Sequence, residues 1–94
     1  MKGNMQFRKK PVVIDAVRVD DLIRNAAHSW EGLPEWIRAA YGAGDIVFTP
    51  NAVLVHTREG DMRGNLSDWI IKGVAGELYP CKPDIFAATY EAVE

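Results

Sequence analysis

The chain predicts an α+β domain: an N-terminal strand, two short helices, then a curled antiparallel β-meander of half-barrel shape. Three observations carry that expectation. A β-branched run, VVIDAVRV, opens the chain after Pro11. Helical spacing of apolar residues follows from Leu22 to Tyr41. From Asp45 the apolar period shifts to two, with glycine and proline at the corners. Helices segregated from an antiparallel sheet define the class, and short strands with glycine at their corners favour curling.

The elements follow in order. Val12–Val19 suits a strand buried on one face, with Pro11 tolerated as its first residue. Asp20 or Asp21 can cap a helix, since a short carboxylate accepts first-turn N–H groups. Leu22, Ile23, Ala26, Ala27 and Trp30 give that helix its apolar face, so it falls within Asp21–Trp30. Gly32 and Pro34 break it. Pro34 fits the first turn of a second helix, Pro34–Tyr41, which Gly42 and Gly44 terminate. Asp45–Thr49 and Ala52–Thr57 read as strands joined by a tight turn at Pro50-Asn51. Glu59-Gly60 turns the chain into Asp61–Arg63, and Gly64-Asn65 turns it again into Asp68–Lys72. Gly73–Gly76 is a hairpin turn before Glu77–Tyr79. Pro80 and Pro83 hold the backbone extended or turning, and Ile85–Tyr90 closes the sheet as a last strand.

Ninety-four residues make one domain, spanning 1–94, with residues 1–10 read as a flexible basic terminus. The formal net charge of -2 lacks the basic excess of a dedicated DNA binder. One cysteine, Cys81, makes no internal disulfide, and with two histidines it builds no zinc site. No run has the length of a membrane span, and the N-terminus lacks an apolar signal region. A reduced, cytoplasmic setting is expected.

Catalysis requires a nucleophile beside an acid–base partner, and no motif supplies both. His56 reads as an ordinary strand histidine. Cys81 reads as a small buried hydrophobe in a turn, against a rival reading in which Lys82 favours the thiolate. The acidic residues Asp15, Asp20, Asp21, Glu31 and Glu35 are scattered, without metal-loop spacing. Gly73–Gly76 leads into a strand, so it is not a phosphate-cradling loop. The expectation is a protein without enzymatic activity and without a cofactor.

The basic residues Arg18, Arg58, Arg63, Lys72 and Lys82 fall on strands or their turns. Solvated strand edges use such residues against aggregation; a curled sheet could instead gather them into an anion site. Trp69 lies either in the core or on the open face, where it would form a stacking surface beside Arg63 and Lys72. The candidate ligand-binding set is therefore Arg63, Lys72, Trp69, Tyr79 and Lys82, with Arg18 or His56 completing the groove from a partner chain in an oligomer. Strand edges at Val12–Val19 or Ile85–Tyr90 offer unpaired backbone to a second copy, so a symmetric homo-oligomer is expected.

The segments FRKKPVVIDAV, GLPEWI and EGDMRGNLSDWIIKGVAGELYPCKPDIFAATYE resemble a group of small proteins of tailed phages and prophages. The pattern of that group runs RKKPVVIEA, GLPEWI, EGDM, PGDWIIKG and GE-[FL]-YPCKPDIFE-TYE. The likeness covers most of the chain and is weakest from Val19 to Ser29. Leu66-Ser67-Asp68 stands where the group has Pro-Gly-Asp, which implies a different turn there. The resemblance implies a phage origin and the cytoplasm of a bacterial host. It implies no activity. By analogy of size and setting alone, it suggests a binder that sequesters a small phosphate-bearing, nucleotide-type immune signal. The rival reading is an accessory module acting on a host or virion protein.

Overall fold

In a computed structural model, which describes residues 5–8 and 10–93, β2 (Ile46–Thr49) and β3 (Ala52–Thr57) form the expected hairpin. Thr49 pairs with Ala52 across Pro50-Asn51. The Thr49 hydroxyl donates to the Ala52 carbonyl at 3.1 Å, which closes the turn from within. A second two-residue turn, Arg58-Glu59, leads into β4 (Gly60–Asn65), antiparallel to β3. Its corner needs Gly60, at φ 117°.

The other sheet joins distant parts of the chain. β1 (Asp15–Arg18) pairs antiparallel with β5 (Trp69–Lys72), and β5 with β6 (Leu78–Cys81). The strands therefore make two three-stranded sheets, β1-β5-β6 and β2-β3-β4, rather than one unbroken meander. β1 is shorter than the expected Val12–Val19 at both ends: the ladder with β5 begins only at Asp15, opposite the last residue of β5, and Val19 already begins a helix.

That helix, α1 (Val19–His28), has no side-chain cap. The loop between β4 and β5 serves instead: Val19 N–H donates to the Asp68 carbonyl and Asp20 N–H to the Leu66 carbonyl, both at 3.0 Å. Asp20 and Asp21 sit in the first turn, where their charge suits the helix dipole. A 3-10 turn, Trp30–Gly32, separates α1 from α2 (Glu35–Gly42), with Pro34 just before the helix rather than inside it. α2 ends in a Schellman arrangement. Gly44, at φ 81°, donates to Tyr41, and Asp45 donates to Ala40 at 2.9 Å.

The core lies between these helices and the two sheets, built on Val19, Leu22, Ile37, Ile46, Val53, Val55 and Ile70. Trp30, Tyr41 and Phe48 extend it as an aromatic cluster, with ring centroids 5.0–6.0 Å apart. Gly64 is buried inside β4, not in a turn as its sequence suggests. A Cβ there would stand 3.0 Å from Ile70 Cδ1 and 3.1 Å from Val19 Cγ2. The missing side chain lets β4 pack against the β5–β6 sheet.

One element is of the opposite kind to its expectation. Ile85–Tyr90 is not a strand: Pro83–Thr89 is a helix, α3. Pro83 occupies its first turn, where the absent N–H is not missed. Phe86 N–H donates to the Lys82 carbonyl at 2.8 Å. No closing strand edge exists there for a second copy to pair with.

Among the N-terminal residues, 1–4 and Lys9 lie outside the described residues, and with them part of the expected flexible terminus. The described residues from 5 to 14 carry no regular secondary structure.

Candidate functional site

Two adjoining grooves open along the seam between β4 and β6, sharing Met62 and Tyr79. The narrower has a volume of about 420 Å³. β4 supplies Met62 and Arg63, β6 supplies Tyr79, Pro80 and Cys81, and Lys82 and Ile85 follow. Three predicted residues, Arg63, Tyr79 and Lys82, therefore meet on one surface.

Arg63 is held in place. Its Nε donates to Asn65 Oδ1 at 2.8 Å, and Nη2 reaches Asn51 Oδ1 at 3.5 Å. Lys82 lies beside Asp68, with Nζ 3.3 Å from Oδ2. The Asp68 side chain is 3% exposed while that of Lys82 is 57% exposed. Among the described residues Asp68 is the one buried charged side chain, and its Oδ2 also accepts the Asn65 N–H at 2.9 Å. The turn before β5 thus sets a buried carboxylate in the groove lining, with Lys82 beside it.

Tyr79 is pushed up to about 12, first by burial, then by hydrogen bonding to Tyr90, whose hydroxyl oxygen lies 3.4 Å away. It stays a neutral donor at physiological pH. Burial also raises the Cys81 thiol, and the carboxylates of Asp68 and Asp84 add to the shift. Its neighbours therefore oppose the thiolate, contrary to the activation that Lys82 would provide.

The wider groove, of about 1310 Å³, holds two more predicted residues, His56 and Lys72. It is not basic. Glu35, Asp45, Glu59 and Glu77 line it against Arg58 and Lys72. They come from separate parts of the chain, so no linear spacing announced them. His56 is paired through Nδ1 with Asp61. Thr57, its neighbour, donates its hydroxyl to the Gly60 carbonyl at 2.6 Å.

Trp69 and Arg18 lie outside both groove linings. Trp69 is neither core nor open stacking platform: its ring stacks on Phe86 of α3, centroids 4.1 Å apart and planes 9° from parallel. Arg18 is tied to Asp20, Nη2 to Oδ2 at 2.9 Å.

Among the described residues, no group of His, Cys, Asp and Glu side chains converges to hold a metal ion. No helix among them is long and apolar enough to cross a membrane. Comparison of the chain with protein-family models, with curated proteins and with solved structures finds no match.

Proposed function

We propose that the chain is a non-enzymatic binding protein of phage or prophage origin that sequesters a small anionic, nucleotide-type ligand in the narrow groove, inside the bacterial host. The observation that carries this reading is that Arg63 and Lys82 line one groove together with the apolar side chains of Met62, Pro80 and Ile85. Two cations face one carboxylate there, whereas carboxylates predominate in the wider groove. The volume falls in the range of roughly 300–1,000 Å³ common for small-molecule sites. A guanidinium already fixed by Asn65 and Asn51 loses less freedom when it grips a phosphate. The neutral Tyr79 adds a donor and a ring without adding negative charge.

A thermal-shift panel of mononucleotides, cyclic di- and trinucleotides and ADP-ribose derivatives tests this. A ligand at a hundredfold excess over its Kd stabilises by about 2.7 kcal/mol, an easily read shift. Arg63→Ala should weaken the hit about ten- to hundredfold, the loss of one charge-assisted contact. Lys72→Ala, among the carboxylates, should leave affinity within a few fold. A panel silent by melting and by calorimetry overturns the proposal. The rival reading, a module acting on a host or virion protein, would then stand on the exposed apolar residues Met5, Phe7, Val12 and Val13.

A further inference from the structure

We propose that two copies of this chain exchange their N-terminal arms, each arm lying in the wider acidic groove of the other copy. The arm is the described stretch before β1. It presents Phe7 at 87% and Val13 at 73% exposure, with Arg8 and Lys10 also in solvent. Apolar surface of this kind in an extended segment calls for a cover. The Cα radius of gyration, 15.3 Å, exceeds the roughly 12 Å of a compact chain of this length, as an outlying arm requires.

Three features make the wider groove the cover. The first is charge: Glu35, Asp45, Glu59 and Glu77 line it, and the arm brings Arg8 and Lys10 spaced between apolar residues. The second is surface: Trp36 and Tyr79 add aromatic area to the groove for Phe7 and Val13. The third is position. Asp15 pairs with Lys72, and Lys72 lines the groove, so the arm is rooted one strand from the groove's rim. When root and receptor adjoin, one two-fold axis satisfies both arms at once, the closed arrangement that a homodimer needs.

The arm does not serve its own groove. β5 ends at Lys72, and the Gly73–Gly76 turn leaves residues 10–14 without a ladder partner beyond Asp15. Pro11 fixes its own φ and holds Lys10 extended. None of the described residues from 5 to 14 lines that groove. Extended, the ten residues from 5 to 14 span roughly 33 Å, enough to cross to a neighbour. The grooves share Met62 and Tyr79, but none of the residues substituted in the test below lines the narrow groove, so the assembly can be tested separately from ligand binding.

The test uses the full chain and sedimentation at tens of micromolar. Wild type should be a dimer that loosens as salt is raised. Val13→Asp, Arg8→Glu with Lys10→Glu, and Glu35→Lys with Glu59→Lys should each raise the dimer dissociation constant at least tenfold. Melting curves show whether each variant is folded. Val13 is exposed, so its substitution leaves the core intact. Mixing the arm-reversed variant with the groove-reversed variant should restore the dimer. In that mixture one arm–groove contact has both charges reversed and the other has neither. A monomeric wild type overturns the proposal. So does a dimer indifferent to the arm substitutions, or a mixture that fails to reassociate.

Discussion

Gly64→Ala probes how closely the two sheets approach. Carbon atoms rest best about 3.5–4.0 Å apart. An added Cβ would meet Ile70 Cδ1 at 3.0 Å, Val19 Cγ2 at 3.1 Å and Pro80 Cβ at 3.5 Å. Ile70 and Val19 must each retreat by about half an ångström, yet both are fully buried. Overpacking of this kind costs about 1–3 kcal/mol. Alanine recovers about 0.5–1 kcal/mol of that through its lower backbone entropy in a strand. The net loss is about 0.5–2 kcal/mol, or roughly 2–16 °C in Tm for a domain of this size. Thermal melting by circular dichroism reads it, with Gly42→Ala as the control. No atom lies within 4 Å of a Cβ at Gly42, so the control should melt at the wild-type temperature or above. A Gly64→Ala variant as stable as wild type would show that β4 does not press against the β5–β6 sheet.

Asp68→Ala should cost about 1.5–3 kcal/mol in denaturant unfolding, because the buried carboxylate accepts the Asn65 N–H and a hydrogen bond to a charged group contributes about that much. Phe86→Ala should uncover Trp69, red-shift its fluorescence and cost about 1–3 kcal/mol; an unchanged spectrum would mean that α3 does not dock there. Tyr79 ionises at higher pH in the folded state than when unfolded, so the folded state holds the proton more tightly. Its contribution to stability is therefore full below pH 10 and lost as pH rises from 10 towards 12. Tyr90→Phe should shrink that alkaline loss, as urea midpoints across this range will show. Cys81→Ser should keep ligand binding, and the thiol should react with iodoacetamide more slowly than a free cysteine at pH 8.

Where chemistry is local, the sequence reads well. The Pro50-Asn51 hairpin follows from its apolar runs and turn residues. The end of α2 follows from Gly44, and the Gly73–Gly76 turn from its glycines. Ile85–Tyr90 misleads because IFAATY is too short for a helical period to show, and its Ile, Phe, Thr and Tyr favour strands. The signal for α3 was Pro83 followed by Asp84, a proline and a carboxylate suited to a first turn. Missing that helix also hides the fate of Trp69, since Phe86 covers it only from a helix. Gly64 reads as a turn from sequence because only the packed sheets reveal a need for close approach. Arg63, Tyr79 and Lys82 were recognisable as residue types suited to an anion on strands or their turns. The carboxylates of the wider groove were not, because Glu35, Asp45, Glu59 and Glu77 meet only through the tertiary fold.

Anion binding at Arg63 and Lys82 is read residue by residue by titrating isotope-labelled protein with the strongest hit of the nucleotide panel. Amide and side-chain resonances are then followed by NMR. Saturable shifts should concentrate at Met62, Arg63, Tyr79, Cys81 and Lys82 and be lost in Arg63→Ala at the same ligand concentration. Shifts centred on Glu35, His56 and Lys72, or undiminished shifts in Arg63→Ala, would contradict it.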